Sequence, residues 1–325
     1  MLDLSYLKDV AAYQALRFVN PGESFFLAYF VGGVLFALCV ALWRRRRRRN
    51  IRARALARIF GTRKLWLHRS TRLDAKLYLM HGVLAVVLYG ALQTSSEVWR
   101  VGVQAALTAS VGPSPLLAAP AWLAGSLTTV AQVVVLELGY WAMHWAFHKV
   151  PALWELHKVH HSAEVMTPLT EWRQHPVEFF LFVEVFAACT GATYGAMTGL
   201  FGAAGQPFTL FQINLLLVLH LATFHHLRHS GVWIAATGWL GRLAHSPAHH
   251  QIHHSTDPRH FDRNFGYALS IWDWAFGTLW IPERRGKVTL GVQGEPAYSG
   301  VADTLLRPLV RLVARPGSPA PAATA

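Results

Sequence analysis

The sequence predicts an all-α fold: a multi-pass transmembrane helical bundle with a cytoplasmic helical cap that carries a histidine-rich dinuclear metal site. Three observations lead there. Hydrophobic residues make up 53 % of the 325-residue chain and charged residues only 14 %, where a typical soluble domain has about 25 % charged. Uncharged apolar runs alternate with polar stretches. The histidines, 18 in all, gather in clusters spaced three and four apart, the spacing that brings rings onto one helix face.

Phe25 to Trp43 is the first apolar run, close to the roughly 20 residues a membrane helix needs. Arg44 to Arg49 follow without a break, and Arg52, Arg54, Arg58, Arg63, Lys64, Arg69, Arg72 and Lys76 continue the basic trend, with Asp74 the only acid among them. The net charge is +13. Its concentration beside an apolar run points to membrane orientation rather than to nucleic acid. By the positive-inside rule this loop is cytoplasmic and the N-terminus lies outside. Leu77 to Leu92 returns across the bilayer. Glu97 to Pro120, with Gly112, Pro113, Ser114 and Pro115, suits an outside loop, with or without a re-entrant piece. Trp122 to Leu138 leads inward again.

Phe179 to Phe201 and Phe208 to Phe224 read as a helical hairpin joined by a turn at Gly202 to Pro207. Every histidine cluster then falls on the side of the arginine loop. The stretch after Gly231 is more polar, and the Pro/Ala-rich end from Pro316 reads as disordered. Three regions are expected: membrane helices with the basic loop (1–130), a catalytic domain (131–285) and a C-terminal tail, partly disordered (286–325). Cys39 and Cys189 lie in apolar runs and offer no disulfide framework or iron–sulfur ligation. No cleavable signal is evident, because arginine follows the first apolar run.

The chain is centred on Tyr140 to His161, YWAMHWAFHKVPALWELHKVHH. His144 and His148 form one cluster. His157, His160 and His161 form a second after a break at Pro151. His250, His253 and His254 repeat the second spacing, and His225 with His229 offers a fourth cluster. Imidazole is a good transition-metal ligand. One zinc or iron takes three or four protein ligands, so eight to ten histidines suggest two metals with four or five nitrogens each. Soluble di-iron bundles use mainly carboxylates with Glu-x-x-His pairs; this site would be nitrogen-rich.

These motifs resemble the fatty acid hydroxylase/sterol desaturase superfamily of membrane histidine-box oxygenases. The resemblance runs through LELGYWAMHWAFH, LWELHKVHHSAE, EWRQHPVE and SPAHHQIHHSTDPRHFDRNFGYALSIWDWAFGT, roughly Leu136 to Thr278. The late block is similar to the alkylglycerol monooxygenase branch. The resemblance implies a di-iron centre at the cytoplasmic mouth of the bundle, ligated by His144, His148, His157, His160, His161, His250, His253 and His254. His229 aligns with a further family histidine, and His225 has the spacing of the fatty acid 2-hydroxylases, with His226 an alternative. His249 breaks the triplet spacing and is left out. Glu164, Glu171, Asp257, Asp262, Asn264 and Asp273 are candidates to orient the ligands. Arg173 and Glu178 match family positions without a derivable role. His68, His81, His175, His220 and His260 read as structural.

Two ferrous ions with open positions would use dioxygen as co-substrate to attack an unactivated C–H bond of a lipid drawn from the bilayer, giving hydroxylation or desaturation. Zinc could occupy the site as purified. There is no fused cytochrome module, no ferredoxin cysteine set and no dinucleotide fingerprint, so a separate reductase, ferredoxin or cytochrome is expected to supply electrons. The composition leans towards a bacterial inner membrane. The alternative is a membrane metal transporter or sensor without oxygenase activity, which would need ionisable residues lining a path through the spans. The spans hold only Glu137, Glu184, His81 and His220. A basic membrane-anchored scaffold is a third reading, resting on the arginine run alone.

Overall fold

A computed structural model describes residues 12–23, 26–46, 62–112 and 114–314. Some 68 % of it is helical, with little strand. Helix α1 spans Leu27–Arg46. Helix α2, Arg69–Leu84, runs on through a π-helical turn, Ala85–Tyr89. Helix α3 is Ser96–Val111 and α4 is Ala121–Lys149. Helix α5, Pro151–His161, follows at once because Val150 is extended and Pro151 opens the new helix, where its missing N–H costs nothing. Helix α6 is Pro176–Phe201. Part of the basic stretch on which the expected orientation rests, residues 47–61, lies outside the described residues, as does the tail from Pro316.

Among the described residues two helices are long and apolar enough to cross a membrane, Ala121–Lys149 and Pro176–Gly205; Leu27–Trp43 is apolar but shorter. The C-terminal end of α4 and the N-terminal end of α6 both open onto the histidine clusters. Two expectations from sequence need correction. The stretch from Glu97 is not simply a loop: α3 covers Ser96–Val111 and packs along α6. Its seat is a glycine stripe. A Cβ at Gly191 would sit 2.1 Å from the Ser96 carbonyl oxygen, and one at Gly195 would sit 2.2 Å from that of Arg100. Only glycine lets the two backbones approach so closely.

The second arm of the expected hairpin is also interrupted. Thr209–Leu210 (β1) pairs antiparallel with Ile213–Asn214 (β2), with Phe211 and Gln212 at positive φ in the turn. Helix α7, Leu215–His220, and a π-helical turn, Leu221–His225, follow. Thr129 and Gln132 of α4 hold the hairpin: Phe208 N donates to Thr129 Oγ1 (2.7 Å) and Asn214 Nδ2 to Gln132 Oε1 (3.1 Å). The chain then forms α8 (Gly238–Leu243), α9 (Pro247–His253) and α10 (Ile271–Ala275). Finally, the expected tail carries α11, Val301–Ala314, which packs on α5 and α2.

Candidate metal centre

Each histidine cluster is delivered by a different element. One turn of α4 aligns His144 with His148. One turn of α5 aligns His157 with His161 and sets His160 to the side. Helix α9 and its C-cap supply His250, His253 and His254, and His229 follows the one-turn helix His226–Arg228. These residues form two buried groups. His144, His148, His157, His161 and His253 make one, and His160, His229, His250 and His254 the other; within each group one ligand atom per residue lies within 4.8 Å of all the rest.

The nitrogens converge at ligand spacing. In the first group, the Nε2 atoms of His144 and His157 are 3.2 Å apart, and those of His157 and His161 3.1 Å. In the second, Nε2 of His229 lies 3.3 Å from that of His160 and 2.8 Å from that of His250, which is 3.1 Å from that of His254. Two nitrogens each about 2.1 Å from a shared ion lie about 3.0–3.4 Å apart in octahedral or tetrahedral geometry.

The opposite ring nitrogens show why a cation fits. His144 Nδ1–H donates to the Phe265 carbonyl (2.8 Å), and His157 Nδ1–H donates to Glu178 Oε1 (2.7 Å). With both protons committed at Nδ1, the neutral rings face each other through lone pairs at Nε2. The second group repeats this. His160 Nδ1–H donates to the Arg173 carbonyl (3.3 Å), and His229 Nδ1 lies 2.9 Å from Glu171 Oε2. Lone pairs opposed at this distance repel unless a positive ion lies between them. Nε2 of His148 and of His253 are buried with no hydrogen-bond partner, an unusual cost that ligation would remove. Each group therefore has one carboxylate behind one imidazole: Glu178 behind His157 and Glu171 behind His229.

Burial keeps the rings neutral. It pushes His157, His160, His161, His250 and His254 well below the ordinary imidazole value and His253 to about 4, with the charge of neighbouring rings or Arg228 adding to the effect in each. A metal would meet free lone pairs at neutral pH. Burial alone would raise the Glu171 carboxyl, but Arg228 and the nearby histidines hold it well below the usual carboxylate range.

His225 joins neither group. Its Nδ1 is 3.0 Å from the Tyr267 hydroxyl, and His226, in ring contact with Phe30, is also outside both. The helix His226–Arg228 ends before His229, whose backbone is not helical (φ −98°, ψ 66°), so the four-residue spacing does not put His225 and His229 on one face. His249 is committed elsewhere, to Ser246 (2.8 Å) and the Gly241 carbonyl (3.1 Å).

The suggested orienting residues divide. Glu171 faces a metal-site histidine directly. Asp262 pairs with Lys149 and lies 3.8 Å from His148 Nδ1. Asp273 acts at one remove: it accepts from the Phe265 and Gly266 N–H groups (2.8 and 2.9 Å) and so holds the carbonyl that receives His144. Asn264 bonds the His249 carbonyl and the Trp280 backbone. Glu164 pairs with Arg69 and Asp257 with Arg259 at the surface.

Glu178, Arg173 and Glu137 gain roles that the sequence did not supply. Arg173 Nε bonds buried Asp74 at 2.5 Å, and its guanidinium reaches Ser70 and Ser162. This fixes the backbone carbonyl that meets His160. Glu137 accepts from Tyr267 N (3.0 Å) and Ala268 N (2.6 Å), anchoring the 265–268 loop to α4. The available signal was an acid standing alone inside an apolar run.

Fold and site together define a helical protein with two buried, all-histidine groups, each able to hold a metal ion, at the end of two long apolar helices. Residues 129–278 match the fatty acid hydroxylase family. The segment is similar to an alkylglycerol monooxygenase of Xenopus tropicalis (30 % identity; 48 % of this chain, 31 % of the relative). It is also similar to the ornithine lipid hydroxylase OlsE of Rhizobium tropici (28 %; 56 % and 50 %) and the fatty acid hydroxylase vlmA of a Lecanicillium species (26 %; 49 % and 42 %). The chain thus spans about a third to a half of the length of these relatives. No solved structure matches. The similarity over residues 129–278 supports the fatty acid hydroxylase superfamily.

Proposed function

We propose that the protein is an integral-membrane, O2-dependent lipid hydroxylase with a di-iron centre. The observation that carries this reading is the convergence of nine buried imidazoles into groups of five and four, with opposed Nε2 lone pairs in each. His144, His148, His157, His161 and His253 would hold one ion, and His160, His229, His250 and His254 the other. When bound, a pair of iron ions with open positions supplies reductive activation of dioxygen towards an unactivated C–H bond. The chain's own groups do the rest. Glu178, Glu171 and the carbonyls of Phe265, Arg173 and Arg263 fix the tautomer and orientation of five of the nine rings. The burial of both groups excludes water. Tyr140 and Phe182 line His144 with aromatic surface towards the side from which a lipid tail would arrive.

The names of the relatives favour hydroxylation over desaturation and a lipid as substrate. The basic stretch favours a cytoplasmic site in a bacterial inner membrane, where a separate reductase, ferredoxin or cytochrome would deliver electrons. The test is metal analysis of protein made in iron-replete cells, paired with lipid mass spectrometry of cells with and without it. About two metals per chain and a lipid gaining one oxygen are expected, and His253→Ala should lose metal and product together. Well-folded protein that takes up no iron would sink the proposal. Zinc alone would not, because zinc outcompetes iron at nitrogen sites.

A further inference from the structure

Helix α11 lies far along the chain from the histidine boxes and beyond the segment matched to the family. At about 100° per residue, its 14 residues sort into three arcs. Thr304 and Pro308 are buried and, with half-buried Leu312, form the seam against the body of the protein. Asp303, Arg307 and Arg311 form a charged arc, with Arg307 paired to Asp303 and Arg311 to Glu295 at 2.6 Å. The third arc is apolar and open: Leu306, Leu309, Val310 and Val313 are 60, 42, 62 and 85 % exposed. A helix that keeps one apolar face out of its own core needs something apolar to cover it.

Its position says what that is. Leu312 packs on the cluster of Phe147, Leu156 and Phe182. Phe147 is two residues from the end of α4 and Phe182 is in the second turn of α6, so both lie within roughly 10 Å of the ends of the long helices. His175, the cap of α6, donates through Nε2 to the Leu305 carbonyl at 3.2 Å. Beside it, Val177 in the first turn of α6 is 45 % exposed. Helix α11 therefore sits at the mouth of the two long helices, and its open face consists of leucine and valine. Protein hot spots are instead rich in Trp, Tyr and Arg and poor in Leu and Val.

We propose that α11 is an interfacial helix that lies in the bilayer surface, with Leu306, Leu309, Val310 and Val313 among the acyl chains. The proposal rests on the membrane placement of α4 and α6. The test is site-directed spin labelling of the full chain in vesicles of phosphatidylcholine and phosphatidylglycerol, with Cys39 and Cys189 replaced by alanine. Labels go on Val310→Cys and Val313→Cys, on Val130→Cys (52 % exposed on α4) and on exposed Arg284→Cys as the aqueous control. Dissolved oxygen should collide with labels at 310, 313 and 130 more often than a water-soluble nickel chelate does, with the reverse at 284. If 130 reports lipid while 310 and 313 favour the chelate, or are shielded from both reagents, the interfacial helix is refuted and the membrane reading stands. If 130 also favours the chelate, the membrane placement fails with it.

Discussion

Replacing Glu171 by glutamine separates the metal site from the fold around it. Glu171 is shared: one oxygen lies 2.9 Å from His229 Nδ1, and Arg228 Nη2 donates to both oxygens at 3.0 and 3.1 Å. A glutamine has one acceptor oxygen and no charge. His229 and Arg228 then compete for that one oxygen and His229 loses the carboxylate behind it, a change that typically costs 10–100-fold in metal affinity, or about 1.4–2.8 kcal/mol. Arg228 is 1 % exposed and would lose its carboxylate. Breaking a buried pair from one side costs about 3–5 kcal/mol, an upper bound here because the Glu171 side chain is 20 % exposed.

The two costs come apart in the double variant Glu171→Gln/Arg228→Met. Removing the stranded cation should restore most of the thermal stability but none of the affinity. Metal per chain after dialysis against a graded chelator should fall from about two to about one, because the first group, backed by Glu178, is untouched. Glu178→Gln should show the converse loss, from the first group only. Unchanged retention of both metals in Glu171→Gln would refute the assignment of His229 as a carboxylate-backed ligand. A double variant that regains affinity along with stability would refute the separation.

His225→Ala should keep both metals, because its ring serves the Tyr267 hydroxyl; the expected effect is a stability loss of about 1–3 kcal/mol from that stranded group, read by thermal unfolding beside metal content. Gly195→Leu should prevent α3 from seating on α6, with loss of folded protein by size-exclusion chromatography, whereas Gly102→Ala, where a Cβ meets nothing within 4 Å, should be silent. Metal-free protein should lose stability as pH falls below the ordinary histidine value of 6.5: the folded values are lowered, so below it the unfolded chain binds more protons. His253 alone, lowered to about 4, contributes roughly 3 kcal/mol of loss by that pH, and an unfolding profile flat from pH 7 to pH 4 would contradict the burial of these rings.

Much of the site was legible because helix geometry is local. The i, i+4 pairs His144/His148 and His157/His161 fix their own alignment, and the repeat of the second spacing at His250 to His254 announces a partner for it. Division into two groups was not legible. His160 and His161 are adjacent, yet they serve different groups because neighbouring helical residues point about 100° apart. His225 stands outside both groups for a related reason. Its spacing from His229 matches one helical turn, but the helix ends at Arg228 and His229 is not helical, and nothing in the local sequence announces that end.

The fold was misread where backbone contact, rather than side-chain periodicity, makes the interface. Helix α3 looked like a loop because the stretch runs on into Gly112, Pro113, Ser114 and Pro115, while its partner signal lies far along the chain in Gly191 and Gly195. The partners of the buried carboxylates, rather than the carboxylates themselves, were hidden from the sequence. An acid inside an apolar run is costly unless hydrogen bonded, and each of these is: Glu137 to two loop amides, Glu178 to His157, Asp273 to two amides. The bonds of Glu137 cross from α4 to a loop 130 residues on, and that of Glu178 crosses from α6 to α5, so neither partner announces the other in sequence; Asp273 reaches amides seven and eight residues before it. The cost of burying each acid is thus offset by the same contacts that set the rings in place, and removing such an acid should disturb the metal groups before it disturbs the helices that carry them.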